Sequence, residues 1–227
     1  MCRITFNPKM SNPPKKDLDQ ERREYQRGVL EEGSLPDHPM ELFELWMSEA
    51  RSTNNPDPTA MTLSTVDSEG NPSSRMVLLK AVREGTFIFF TNHMSRKGKE
   101  LASTSKAALH FYWPELERQV RVEGKAAPLD ESDSTRYFRS RPYESQIGAW
   151  ASPQSTVIPN RHFLETEFEK YHKKFQAGSE VPKPAHWGGY AITPSRMEFW
   201  QGGLHRLHDR IEYKLIKNSW ARARLAP

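Results

Sequence analysis

Short apolar runs broken by polar residues fill this chain, and their period changes from helical to alternating near residue 58. Phe43, Trp46, Met47 and Ala50 recur at helical spacing, with Asp37 placed to cap the helix and Pro39 in its first turn. After the proline-rich break at 54–58, strand-like stretches over 60–66, 74–80 and 86–91 are separated by turn residues at 67–72 and 83–85. That order predicts antiparallel hairpins. Two more strands are expected over 107–113 and 119–126. In the second, Val120 and Val122 alternate with Gln119, Arg121 and Glu123, so one face is buried and the other is wet or liganded.

The helical period then returns. Residues 130–141 carry Asp130 as a cap and acidic residues in the first turn, and Pro142 forces an end. A further helix follows Asn160, where Leu164, Phe168, Tyr171 and Phe175 form a stripe expected to be core contact. Strands are expected again over 189–193, 196–201 and 210–216. Residues 1–16 are proline-marked and poor in apolar side chains, and 18–30 is charge-rich with some helical character. The division that follows is a flexible N-terminal extension over 1–36 and one domain over 37–227. Strands in hairpin order, with helices inserted late, predict a mainly β antiparallel barrel with flanking helices rather than a doubly wound parallel sheet. Neither the glycine-rich dinucleotide fingerprint nor a P-loop is present.

Composition narrows the partners. Charged residues make up 27% and hydrophobic ones 36%, with no apolar run long enough to span a bilayer. A single cysteine, Cys2, excludes an intrachain disulfide and a two-cysteine metal site, and residues 1–10 lack the apolar core of a secretory signal. A soluble, cytoplasmic protein is expected. The net charge of +4 and pI near 9.1 favour anionic partners: nucleic acid, an acidic membrane surface or small phosphorylated molecules.

Four segments could carry chemistry. Arg75-Met76-Val77-Leu78-Leu79-Lys80 has a cation at each end, and strict alternation would put the two on opposite faces unless the strand bulges or turns; its bland reading is an edge strand with solvated ends. Ser95-Arg96-Lys97-Gly98-Lys99 joins a capping serine, free helix N-terminal amides and two cations, which suits a phosphate; the bland reading is a solvent-facing basic turn. Tyr137 and Arg141, four apart, would share a helix face with Ser145 just beyond, suiting a phosphate monoester or, equally, a surface ion pair. Arg206, His208 and Arg210 alternate, so an extended strand would place all three on one face, where they repel unless an anion neutralises them. A metal site on His205 and His208 lacks a third ligand at fitting spacing, and no serine stands in a nucleophile elbow.

Taken in order, these motifs resemble the pyridoxine 5′-phosphate oxidase family. The resemblance runs from about Asp37 to Arg210. It rests on the arginine-led strand at 75–80, Ser-Arg-Lys-Gly-Lys at 95–99, Arg-Gln-Val-Arg-Val-Glu-Gly at 118–124, the Ser-Arg-Pro and Ser-Gln-Ile-Gly pair within 140–148, and Glu-Phe-Trp-Gln followed by Arg-Leu-His-Asp-Arg at 198–210. It implies a six-stranded antiparallel FMN-binding split barrel that dimerises, with FMN at the interface. Carried over position by position, it implies that Arg75, Met76, Val77, Leu78, Phe90, Thr91, Arg96, Lys97, Gln119, Gln154, Ser155, Trp200 and Arg210 hold FMN, some of them from the partner subunit. It likewise implies that Lys80, Tyr137, Arg141 and Ser145 take the substrate phosphate, with Arg206 and His208 over the pyridine ring as the catalytic pair.

The implied reaction is oxidation of pyridoxamine and pyridoxine 5′-phosphates to pyridoxal 5′-phosphate, with dioxygen as final acceptor and hydrogen peroxide as by-product. The chain departs from the family pattern in Gly202-Gly203-Leu204-His205 and in a shortened segment after Arg210, which puts the last strand pairing in question. Two other classes remain in view. A non-catalytic flavin- or pyridoxal-phosphate-binding module would keep Arg75 and Arg96 without needing Arg206 and His208. A nucleic-acid-binding barrel would need its cations along one strip rather than in separate turns, so neither nucleic acid nor membrane is the expected partner.

Overall fold

The structure, a computed structural model, describes Asp19, residues 23–176 and residues 178–227. The proline-marked stretch 1–16 and the start of the charge-rich segment lie outside the described residues.

Helix α1 (Pro39–Arg51) begins with Pro39 in its first turn, but the cap is His38, whose Nδ1 accepts from Met40 N at 3.3 Å, and not Asp37. The hairpin strands follow as β1 (Ala60–Val66), β2 (Pro72–Leu78), β3 (Ala81–Arg83) and β4 (Thr86–Asn92). The β1–β2 turn is folded by Asp67, whose Oδ1 accepts from the amides of Glu69 and Asn71. Helix α2 (Arg96–Thr104), β5 (Lys106–Trp113) and β6 (Arg118–Pro128) come next, then helices α3 (Glu131–Arg139), α4 (Tyr143–Ala151) and α5 (Arg161–Lys174). The chain closes with β7 (Trp187–Gln201), β8 (Asp209–Ile216) and β9 (Ser219–Arg224).

Among the described residues all pairings are antiparallel, in one nine-stranded sheet of order β2-β1-β5-β6-β7-β4-β3, with β8 added beside β7 and β9 beside β8. The expected count of six strands is therefore exceeded: β3 is a three-residue addition, and β9 carries no alternating pattern that a sequence reading could detect. The two strands expected over 189–193 and 196–201 are one, β7, which pairs with β6 from Tyr190 to Gln201. Its other edge changes partner, meeting β4 through Ile192 and β8 from Arg196. Pro194, with no amide hydrogen to give, sits where neither β4 nor β8 is bonded to that edge, and β6 shifts register between Glu123 and Gly124 opposite it. At this bulge the backbones approach so closely that a Cβ on Gly124 would lie 2.1 Å from Thr193 O.

Alternation explains the core. Met61, Leu63 and Thr65 of β1, Ala107, Leu109, Phe111 and Trp113 of β5, and Val120 and Val122 of β6 face inward. The apolar stripe of α1 closes the barrel: Phe43 packs edge-on against Phe87 and Phe111, and Trp46 against Phe199. Each such ring contributes about 2–3 kcal/mol by leaving water. A second cluster joins Phe138, Ile147, Val181 and Trp187, with Phe168, Tyr171 and Phe175 of the α5 stripe packed against it.

Of the extension expected over 1–36, residues 23–36 are docked on the barrel, and 23–30 are irregular rather than helical. The buried Glu117 carboxylate accepts from the amides of Gln26 and Arg27 at 2.7 and 3.0 Å and from Arg23 at 3.0 Å. Asp209 accepts from Leu30 N at 3.0 Å, and Arg224 donates to Leu30 O at 2.6 Å. The segment after Arg210 keeps its last pairing. Lys217 and Asn218, both at positive φ, close β8 onto β9 in the two-residue turn whose twist suits a hairpin.

Candidate active site

Burial and charge converge on one cleft of about 1010 Å³ between β2, the end of β4, the start of α2 and the α3–α4 corner. Arg75, Met76, Val77 and Leu78 line it from β2, and Lys80 lines it from the break after that strand. The chain turns at Leu79, where Leu79 N donates to Thr59 O and Lys80 N to Ile88 O, and so two cations that alternation would separate reach one cleft. Phe90 and Thr91 enter from β4, Arg96 and Lys97 from α2, and Gln154 and Ser155 from the loop after α4.

Ser95 caps α2 as expected, accepting from Gly98 N at 3.3 Å. Lys97, in the first turn, points inward and is 8% exposed. Its Nζ donates to Gln154 Oε1 at 2.9 Å, Thr91 Oγ1 at 3.1 Å and Ser95 Oγ at 3.3 Å, and no carboxylate among the described residues lies within ion-pair distance. Burial, and then the charge of Arg75, push this ammonium down to about 8, against a smaller pull upward from Glu100. Arg75 is held by Thr65 Oγ1 and Ser73 Oγ, both at 2.5 Å, and by the carbonyls of Leu63 and Ser73 at 3.2 Å.

The Tyr137, Arg141 and Ser145 trio does meet in this cleft, by a route other than one helix face. Helix α3 stops at Arg139, and Pro142 starts α4 rather than merely ending α3, which places Ser145 inside the first turn of α4 and Arg141 in the corner between helices. Tyr137 stacks on Phe90 at 3.9 Å between centroids. The Arg141 guanidinium lies 4.7 Å over Trp187, with a buried Nη1 that has no partner among the described residues. Burial lowers its pKa and raises that of Tyr137. Trp187, Asn92 and Ser152 also line the cleft and went unnoticed in the sequence; the one hint was that Trp187 precedes Gly188-Gly189 at a strand start.

The remaining expected residues lie elsewhere on the chain. Gln119, Trp200 and Arg210 are cross-strand neighbours on β6, β7 and β8 and line a separate hollow of about 210 Å³ with Arg121, Glu198 and Pro227. His208 lines a third, of about 490 Å³, with Leu207, Asp209 and the residues 224–227. The expected single face of Arg206, His208 and Arg210 is not formed: β8 begins only at Asp209, and Arg206 sits in a short turn at positive φ. Arg210 is neutralised internally by Glu198, at 3.0 and 3.1 Å, which also takes Arg121 at 2.7 Å. His208 packs 4.7 Å from Trp200 and edge-on to Tyr25. Burial and the neighbouring Arg206 lower its pKa, and its Nδ1 accepts from Gly203 N, so the neutral ring carries its proton on Nε2.

Two family models match. One, described as pyridoxamine 5'-phosphate oxidase, covers residues 47–175; the other, described as pyridoxine 5'-phosphate oxidase C-terminal dimerisation region, covers 187–227. Among curated relatives, a pyridoxine/pyridoxamine 5'-phosphate oxidase of Polynucleobacter asymbioticus is 51% identical over 92% of this chain and 99% of its own length. One from Neisseria meningitidis is 50% identical over 93% of this chain and its whole length. Among solved structures, PhzG from Burkholderia lata, in complex with tetrahydrophenazine-1-carboxylic acid, superposes with a TM-score of 0.84 at 30% identity over 90% of this chain and all of its own. An FMN-binding protein from Nostoc punctiforme, 15% identical over 86% of this chain and 99% of its own, shares the fold with a TM-score of 0.66. The chain therefore belongs to the pyridoxamine 5'-phosphate oxidase family.

Proposed function

We propose that this chain oxidises pyridoxamine 5′-phosphate and pyridoxine 5′-phosphate to pyridoxal 5′-phosphate, using FMN and working as a homodimer in the cytoplasm. The observation that carries this reading is the cationic make-up of the large cleft. Arg75, Arg96 and Lys97 gather beside β2 and α2, while Lys80 and Arg141 stand with Tyr137 and Ser145 at the other residues of the same cleft. A half-buried guanidinium whose buried Nη1 has no partner among the described residues and a buried ammonium without a carboxylate are both costly unless an anion completes them. Two phosphates, one on the cofactor and one on the substrate, meet both needs.

The donor set fits FMN. Arg75, Arg96, Lys97 and Thr91 would hold its phosphate end, with Gln154 and Ser155 beside them and the apolar Met76, Val77 and Leu78 along its body. When bound, FMN supplies the two-electron acceptor chemistry that no side chain can supply. The chain's own part is placement. Lys80, Arg141, Tyr137 and Ser145 would clamp the substrate phosphate and fix one end of the ring, which converts an encounter into an oriented reaction. Arg206 and His208, supplied by a second copy, would cover the pyridine ring, with His208 Nε2–H as a neutral donor. Gln119, Trp200 and Arg210 would reach the cofactor from that copy as well.

The test is optical. The purified dimer incubated with FMN should be yellow after desalting, should bleach on addition of pyridoxine 5′-phosphate without air, and should recover on aeration with one peroxide formed per aldehyde. A colourless protein indifferent to FMN ends this reading.

A further inference from the structure

Both arginines assigned to the cofactor phosphate lean on one buried carboxylate that the oxidase reading leaves without a role. Glu100 lies one helical turn after Arg96 and is 5% exposed. Its Oε1 accepts from Arg96 Nε at 2.8 Å. Its Oε2 accepts from Ser73 Oγ at 2.7 Å and from Thr65 Oγ1, and lies 3.4 Å from Arg75 Nη2. Ser73 and Thr65 are the same hydroxyls that receive Arg75, so each passes a hydrogen bond from the guanidinium to the carboxylate. Burial pushes the Glu100 carboxyl up, but bonds from Thr65, Ser73 and Arg96 and the Arg75 charge outweigh it and bring it to about 2, so the group stays ionised at working pH.

We propose that Glu100 is a positioning residue for phosphate capture: it fixes Arg75 through a two-hydroxyl relay and holds Arg96 by Nε, aiming both guanidinium groups into the cleft. This rests on the reading that FMN occupies the cleft. The bond to Arg96 uses Nε alone, and among the described residues nothing engages its two Nη groups, which are left to an anion. A carboxylate so near a phosphate site is unfavourable by charge alone, so the two effects of removing it have opposite signs. Loss of aim weakens phosphate binding; loss of negative charge strengthens it.

Riboflavin, which has the same ring but no phosphate, separates aim from general scaffolding. Dissociation constants for FMN and riboflavin are measured by flavin fluorescence quenching on wild type, Glu100→Ala and Glu100→Gln. The alanine variant should bind FMN on the order of tenfold more weakly, a loss worth one charge-assisted contact, while riboflavin affinity stays within about twofold. The glutamine variant, keeping one neutral acceptor, should fall between. If the alanine variant does not fold, as judged by circular dichroism, the FMN-to-riboflavin affinity ratio of the glutamine variant decides. Parallel loss of both ligands, an unchanged ratio, or tighter FMN binding would overturn the proposal. A wild-type protein that binds neither flavin would instead remove the cofactor reading beneath it.

Discussion

At the residue scale, Lys97 would make the proposed capture of FMN sensitive to pH. Burial among three neutral oxygens, and then the charge of Arg75, hold its ammonium down to about 8, against about 10.4 for an unfolded lysine. A phosphate dianion brought into contact favours the charged form, so above about pH 8 binding must take up a proton, and affinity falls by up to tenfold per pH unit. Without ligand the sign is reversed. Between about pH 8 and 10 the unfolded chain holds the proton that the folded chain has lost, so this group makes the fold more stable as pH rises. FMN affinity measured from about pH 7.5 to 9.5 should decline for wild type and stay flat for Lys97→Arg, whose guanidinium keeps its charge throughout. Equal slopes for the two proteins would remove Lys97 as the linked group. The site residues legible in the sequence were those on short continuous motifs: Arg75 to Lys80, and Ser95 to Lys97. Glu100 is the instructive omission, because its i,i+4 spacing from Arg96 was readable, yet its bonds to Thr65 and Ser73 depend on packing α2 against β1 and β2.

Among the elements, strands with one buried face could be read directly from alternation, and β1, β4, β5, β6 and β8 stand within two residues of expectation. Where a strand's identity depends on its neighbours, the sequence was mute. β9 reads Ser-Trp-Ala-Arg-Ala-Arg with almost every side chain exposed, so only backbone pairing with β8 defines it. β7 is continuous through Pro194 because that residue lies where β4 has ended and β8 has not begun. The bulge opposite makes a demand on Gly124 that no pattern revealed. Any side chain there meets Thr193 O, a backbone atom with no freedom to move aside. Gly124→Ala should therefore destabilise the fold by about 3 kcal/mol, the upper range for forced overpacking, and lower the thermal midpoint correspondingly. A melting curve superimposable on wild type would show that β6 can realign without the bulge.

For the whole molecule, what matters is that the residues assigned to one reaction fall into sets that share no hollow. Arg75, Lys97 and Arg141 line the large cleft; Gln119, Trp200, Arg210 and His208 line hollows on the β6-β7-β8 face, and Arg206 lines none of them. Spacing and periodicity could not divide these sets between subunits, because residue order says nothing about which copy a neighbour belongs to; only the family resemblance implied that some come from a partner. The C-terminal region, matched at 187–227 by a family model described as a dimerisation region, carries the second set from Trp200 onward. If each active site combines the cleft of one protomer with the β8 face of the other, two disabled proteins can repair each other. Arg141→Ala disables the cleft and Arg206→Ala the opposing face, so either homodimer has both sites damaged. In the heterodimer, both lesions fall in one site and the other site is intact. Co-expressed with different affinity tags and purified through both, the mixed dimer should show about half the wild-type turnover per dimer, the fraction fixed by two-fold symmetry. The same experiment with Arg141→Ala and Lys80→Ala, both in the cleft, should give no recovery, since each site then carries one lesion. A heterodimer as inactive as its parents would place the whole reaction within a single chain, and would require Arg206 and His208 to be given some other task.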